Sequence, residues 1–176
     1  RKMGHLPVAY SSDLGPVAED LKRNCIPVLN DLRDLGFVPD VIHGQHHLDA
    51  MTAMLHFPET PAVYVCHGWI PWEETPPVFP NIQRYIAVSE LTAEKLRTTN
   101  GVAADQISIV RNAIDLDRFR KKLIAPVPLS AAIFSNYVGA GPFQDLVRGA
   151  CKKSGIDTLD VIGGRSGNAV RNPEDV

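Results

Sequence analysis

A histidine ends one of the most apolar segments of the chain. His67 closes the run 62–67, which reads Ala-Val-Tyr-Val-Cys-His, and Gly68 follows it. In an open parallel sheet, ligands bind at the carboxyl ends of the strands, so an imidazole here could bond a ligand or move a proton. The alternative is a histidine that ends the strand and bonds to nearby backbone. The residue types alone leave both interpretations open.

A second group of polar side chains follows another apolar segment, where residues 43–47 read His-Gly-Gln-His-His. Imidazole is a common metal ligand, and His43 could pair with His46 or His47. No acidic or cysteine partner stands at a fitting spacing, so we predict no metal here. The segment is expected to line a ligand cleft, or simply to open the helix at Leu48.

A glycine-rich loop occurs late in the chain, where residues 138–143 read Val-Gly-Ala-Gly-Pro-Phe between a predicted strand and a predicted helix. Pro142 suits the first position of a helix, and a helix N-terminus behind glycines binds anions readily. Gln144 occupies the third glycine position of the dinucleotide fingerprint. We therefore predict that Gly139 and Gly141 face a diphosphate, and we favour this over a dinucleotide site.

Strands and helices alternate around these residues. Strands are predicted at 7–11, 26–29, 40–43, 62–67, 85–89 and 107–110, with helices at 17–22, 48–55 and 90–99. Ser12 or Asp13 is expected to cap the first helix and Ser89 the third. The stretches 63–66 and 86–88 are continuously apolar, as in strands buried on both faces of a parallel sheet. The pattern predicts a Rossmann-like, doubly wound α/β domain.

Two domains are predicted, with a boundary after residue 122. The first, 1–122, starts with Arg-Lys-Met-Gly-His, which resembles the last turn of a helix, so its first strand and helix are expected to be missing. The second, 123–176, begins with a proline-rich linker. It continues with one strand–helix–strand unit at 131–135, 143–153 and 158–162, and is expected to be truncated.

Composition excludes some classes of protein. The 176 residues are 44% hydrophobic and 22% charged with a net charge of −2, which gives no support to nucleic-acid binding. No apolar run is long enough for a membrane span, and no signal peptide is recognisable. Cys25 and Cys66 lie in apolar runs and are predicted to be buried thiols. With Cys151, their wide spacing argues against disulfides or zinc and favours a cytoplasmic location.

Four motifs in order resemble a known family. They are Pro-Asp-Val-Ile-His at 39–43, Val-Tyr-Val-Cys-His-Gly at 63–68, Arg-Tyr-Ile-Ala-Val-Ser-Glu at 84–90, and Asn-Ala-Ile-Asp-Leu-Asp-Arg-Phe at 112–119. Their order and spacing resemble the acceptor domain of retaining glycosyltransferases of the glycogen-synthase and mannosyltransferase-like group, of the family-four type. These enzymes have the GT-B architecture of two Rossmann-like domains.

The resemblance implies roles for particular residues. His67 would be catalytic, beside the transferred sugar, where it bonds a hydroxyl or serves the acceptor proton. The implied acceptor-binding residues are His43, Gln45, Trp69 and Trp72, and the implied donor-phosphate contacts are Gly139 and Gly141. The two tryptophans could stack on sugar rings or fold inward. The adjacent Glu73 and Glu74 are predicted to be solvated loop charges.

The resemblance also implies a bacterial enzyme that moves a hexosyl group from a nucleotide sugar to a carbohydrate or lipid-linked acceptor, with retention and without a metal. Peripheral membrane association is compatible with it, and the oligomeric state is not indicated. The chain departs from the family at Ala113, where glycine is usual, and in lacking the glycine-rich loop and the donor-side glutamates. A fragment with these gaps is expected to be inactive alone. The alternatives are a non-catalytic module that binds glycan or a partner, and a sugar-nucleotide epimerase.

Overall fold

The computed structural model describes residues 3–68, 72–117, 119–120, 126–135 and 138–163. The chain divides into two compact units, Arg1–Asn112 and Ala113–Val176. The division falls ten residues before the predicted boundary at 122. The assignment of 1–122 to an acceptor side and 123–176 to a donor side stays a prediction.

The first unit is built from short parallel strands and three helices. In chain order its elements are β1 (Ala9–Tyr10), α1 (Pro16–Arg23), β2 (Val28–Leu29), β3 (Ile42–Gly44), α2 (His47–His56), β4 (Ala62–Cys66), β5 (Ile82–Ala87), α3 (Glu90–Thr98) and β6 (Ile107–Ile109). Single turns of 3-10 helix occur at Leu32–Asp34, Trp72–Glu74 and Ala104–Gln106. Strands β3, β4, β5 and β6 form one parallel sheet in that order, and β1 pairs with β2 in parallel. The predicted α/β class with parallel, Rossmann-like sheets is confirmed.

The core of this unit lies where α2 and α3 pack on the four-stranded sheet. Met54 from α2, Leu96 from α3 and Tyr64 from β4 are almost completely buried and belong to one apolar cluster. The Tyr64, Val65 and Cys66 side chains of β4 are all buried, as the continuous apolar run predicted. Burial of this apolar surface stabilises the sheet whose strand ends carry the polar residues.

The second unit contains β7 (Ser130–Phe134), α4 (Pro142–Lys153) and β8 (Thr158–Ile162), with β7 parallel to β8. The predicted strand–helix–strand unit is confirmed to within one residue at each end. Pro142 opens α4 as predicted, since its missing N–H is one that the first helical turn leaves without an intrahelical partner.

Three local predictions were wrong. Strand β5 begins at Ile82, three residues before its predicted start, because Ile82 and Arg84 pair with Ala62 and Val63 of β4 across a register shift at Gln83. Neither Ser12 nor Asp13 caps α1, which begins after Gly15. Cys25 is exposed and has a φ of 54°, because it turns the chain directly after α1.

Candidate active site

The parallel pairing of β3 with β4 places two polar segments at the same sheet edge. Gly44 aligns with Tyr64, so Gln45 and His67 both follow at the carboxyl ends of their strands. His43, Gln45 and His67 are all exposed to solvent. These predicted site residues therefore lie on an accessible edge of the first unit.

Gly44 explains how closely α2 approaches this edge. A Cβ at Gly44 would lie 2.8 Å from the Cβ of Ala50, which is closer than real Cβ atoms approach, and a tight 3.1 Å from Cδ2 of Tyr64. Only glycine therefore lets the first turn of α2 rest directly on β3 and β4. This contact fixes where His47 begins the helix and where Gln45 leaves the strand.

One amide joins two of the imidazoles. Oε1 of Gln45 lies 3.2 Å from Nε2 of His67, and Nε2 of Gln45 lies 3.4 Å from Nδ1 of His43. The three side chains thus form a continuous polar row across the ends of β3 and β4. Sequence reasoning had named all three residues but not their connection.

Glu74 holds the backbone at the end of β4. Its Oε2 accepts hydrogen bonds from the backbone N–H groups of His67 at 2.9 Å and Gly68 at 3.2 Å. Its carbonyl oxygen accepts a hydrogen bond from Sγ of Cys66 at 3.2 Å. The prediction of a solvated loop charge was wrong for Glu74, because its carboxylate satisfies two backbone donors that no neighbouring strand reaches. Nothing in the adjacent pair of glutamates had indicated this.

Trp72 presents its ring to solvent beside α2. Its side chain is 58% exposed, so it does not fold inward. Nδ1 of His47 donates to the carbonyl oxygen of Thr75 at 2.6 Å, and the His47 ring meets that of Trp72 edge-on, with 6.1 Å between centroids. Trp69 lies outside the described residues, as does the side chain of Glu73. Trp72 is thus a held, accessible aromatic near the predicted site.

The thiol next to His67 is not reactive. Burial raises the pKa of Cys66 to about 11, and the negative charge of Glu74 adds to this effect. Burial also raises the pKa of the Tyr64 hydroxyl. Both groups stay protonated at neutral pH, which leaves the exposed imidazole of His67 as the residue suited to proton chemistry at the end of β4.

Hydrogen bonds join the ends of two further strands to helices. Asp49 in the first turn of α2 accepts hydrogen bonds from the hydroxyls of Ser11 and Ser12, at 3.1 and 2.7 Å, and from the backbone N–H of Ser12 at 3.1 Å. Ser89 caps α3 by accepting from the N–H of Thr92, as predicted. The role of Asp49 had no local signal, since its partners lie 37 and 38 residues earlier.

The glycine loop belongs to the second unit. Gly141 immediately precedes α4 with a φ of 151°, a conformation that favours glycine, and a Cβ there would meet nothing within 4 Å. Gly139 is partly buried. The open backbone before α4 is compatible with an anion, and the predicted phosphate contact of Gly139 and Gly141 stays a prediction.

The described part of the chain contains no group of three or more His, Cys, Asp or Glu side chains placed to hold a metal ion. No helix within the same residues is long and apolar enough to cross a membrane.

Comparison with known proteins places the chain in a family. The crystal structure of a glycosyltransferase from Rickettsia africae ESF-5 is similar, with a TM-score of 0.65 at 16% sequence identity, over 92% of this chain. The chain spans 53% of the length of that structure, and at this identity the likeness shows the fold. No curated protein matches the chain. The family profile named Glycosyltransferase Family 4 matches residues 8–118, which include every described polar residue at the ends of β3 and β4. This chain is therefore a member of Glycosyltransferase Family 4.

Proposed function

We propose that the protein containing this chain transfers a hexosyl group from a nucleotide sugar to a hydroxyl of a carbohydrate or lipid-linked acceptor, with retention of configuration. Family membership supports glycosyl transfer. The observation that carries the proposal is the accessible His67 at the end of β4, with its backbone bound to Glu74 and its ring bound to Gln45. Such a held imidazole suits a role in orienting or deprotonating a hydroxyl.

In the proposed reaction, the bond between the anomeric carbon and the diphosphate oxygen breaks, and its electron pair leaves with the nucleoside diphosphate. The acceptor oxygen forms the new bond to the anomeric carbon, and its proton ends on the leaving phosphate. His67 accepts a hydrogen bond from a substrate hydroxyl and holds the sugar in the reactive orientation. No metal or other cofactor is part of the proposal.

The other predicted contacts have separate proposed roles. Trp72 would hold the acceptor, because an exposed ring can stack on a sugar face or an apolar chain. Backbone N–H groups behind Gly139 and Gly141 would face the donor phosphates. Because the chain spans about half of its structural neighbour, we assign the activity to the whole protein and expect the 176-residue chain alone to be inactive.

The test uses the full-length protein with a panel of uridine and guanosine diphosphate hexoses, and measures release of the nucleoside diphosphate. We expect release with at least one donor, and a loss of about 100-fold or more in rate for His67→Ala. The matched control is His5→Ala, which removes an exposed histidine remote in sequence from the motif at 63–68. A His67→Ala protein that keeps the full rate would remove His67 from the reaction.

The products decide between the alternatives. Proton NMR of the glycoside reports the anomeric configuration, and an inverted product would contradict retention. Interconversion of nucleotide sugars without transfer would identify an epimerase. The exposed Trp72 also suits a glycan-binding module. Binding of a glycan without any release of nucleoside diphosphate would favour that function.

A further inference from the structure

The side-chain amide of Gln45 fixes where the protons lie on two histidines. Its Oε1, 3.2 Å from Nε2 of His67, can only accept a hydrogen bond. Its Nε2, 3.4 Å from Nδ1 of His43, can only donate one. With the amide in this orientation, Nε2 of His67 is the donor and Nδ1 of His43 is the acceptor, whereas the opposite amide orientation would reverse both roles.

A neutral histidine carries one ring proton. The bond to Gln45 therefore determines which nitrogen of His67 presents its lone pair to a ligand. With the proton on Nε2, that nitrogen is Nδ1. His67 can also take up a proton at Nδ1 without losing its bond to Gln45, because Nε2–H stays in place. Nδ1 of His43 has no such freedom, since a proton there would oppose the amide NH₂ of Gln45.

The surrounding backbone holds this arrangement. The carboxylate of Glu74 accepts hydrogen bonds from the backbone N–H groups of His67 and Gly68, so the backbone that carries the His67 side chain is held in place. The space around Gly44 is filled by Ala50 and Tyr64, which fixes the point where Gln45 leaves β3. The His67 ring can then move mainly by rotation about its side-chain bonds, and the hydrogen bond to Gln45 selects one of these orientations.

We propose that Gln45 is a positioning residue that holds His67 as its Nε2–H tautomer, so that Nδ1 is the nitrogen offered to a substrate hydroxyl. This differs from a direct acceptor contact, the role that the family resemblance implies for Gln45. The catalytic consequence rests on the proposed function. The tautomer itself does not, because it follows from the orientation of the Gln45 amide between the two rings.

Two substitutions separate the parts of the bridge. Gln45→Met is close in size but removes both the amide oxygen and the amide NH₂. Gln45→Glu keeps an oxygen that accepts from Nε2–H of His67. Gln83→Met is the matched control, since Gln83 is an exposed glutamine on β5 whose side-chain amide donates to the carbonyl oxygen of Asn81. Thermal unfolding by circular dichroism checks that all three variants fold.

The first readout is nitrogen NMR of the full-length protein labelled with ¹⁵N-histidine, in which His67→Gln identifies the His67 signals. We expect a protonated Nε2 and an unprotonated Nδ1 in the wild-type protein and in Gln45→Glu. In Gln45→Met the two ring shifts should move toward each other, because both tautomers become populated. A wild-type proton on Nδ1 of His67 would overturn the proposal.

The second readout is steady-state kinetics with the best donor. Gln45→Met should lower kcat by about tenfold while the acceptor KM changes less than about twofold, and Gln45→Glu should recover most of kcat. An unchanged kcat with a raised acceptor KM would make Gln45 an acceptor contact and overturn the proposal. If no donor reacts but the NMR result holds, the tautomer assignment stands and the proposed function fails.

Discussion

The two compact units bury apolar side chains to very different degrees. In the first, Tyr64 and Leu96 are completely buried between a four-stranded sheet and its helices. In the second, Cys151 and Val161 are the buried apolar residues among those described, while Leu146 on α4 is 71% exposed. Both units use strand–helix–strand connections, so local pattern does not distinguish them. The difference teaches that the same kind of connection can leave very different amounts of apolar surface buried, so we expect the two units to differ in stability.

The largest expected contrast is in thiol reactivity. In the 176-residue chain, Cys25 is exposed, Cys151 is buried in the second unit, and Cys66 is buried in the core of the first. We expect Cys25 to react with a thiol reagent fastest, Cys151 next, and Cys66 slowest, by about a thousandfold or more relative to Cys25. Raising the pH from 7 to 9 should leave folded Cys66 slow, because its pKa is raised to about 11.

Mass spectrometry of the labelled peptides measures the three rates, and Cys25→Ser checks the assignment of the fast phase. If Cys66 and Cys151 react at the same rate, the two units open together. The expected difference in stability between the two units would then be wrong.

The next contrast places one substitution in each unit. Leu96→Ala removes a completely buried side chain of α3 and should lower the free energy of unfolding by about 2–5 kcal/mol. Leu146→Ala, on the exposed face of α4, should change it by less than about 0.5 kcal/mol. Urea unfolding of the 176-residue chain, followed by circular dichroism, measures both. Equal losses of free energy of unfolding would mean that Leu146 is buried to the same degree as Leu96.

The smallest expected effects come from two glycine substitutions that should change the free energy of unfolding in opposite directions. Gly44→Ala places a methyl group against Ala50 and Tyr64 and should destabilise the first unit by about 1–3 kcal/mol. Gly149→Ala, in the interior of α4 with nothing within 4 Å of the added Cβ, should stabilise the second unit by up to about 1 kcal/mol. Hydrogen exchange of β4 and β8 amides reports on each unit separately. A neutral Gly44→Ala would show that α2 can move away from β3.

Features that depend on neighbouring residues were predictable from the sequence. The apolar run at β4, the cap at Ser89 and the proline that opens α4 follow from local backbone and burial preferences. Cys25 was predicted to be a buried thiol because it lies in an apolar run, whereas it is exposed in the turn that follows α1. The sequence pattern does not reveal a turn in which the residue with positive φ is not a glycine.

The connections within the candidate site were not predictable in the same way. His67, His43 and Gln45 could be named, because polar residues after buried strands gather at one sheet edge. The bonds of Asp49 to Ser11 and Ser12 join residues far apart in sequence. The carboxylate of Glu74 bonds to the backbone at the end of β4, seven residues earlier in the chain, and no motif indicates this contact. Specific pairings of this kind arise only once the tertiary fold is formed.

The bond from Glu74 to the end of β4 has a consequence for how this region could be redesigned. It joins the 3-10 turn Trp72–Glu74 to the backbone N–H groups of His67 and Gly68. Substitutions of the exposed Trp72 could therefore change what is recognised at this strand end while Glu74 keeps the backbone of His67 in position.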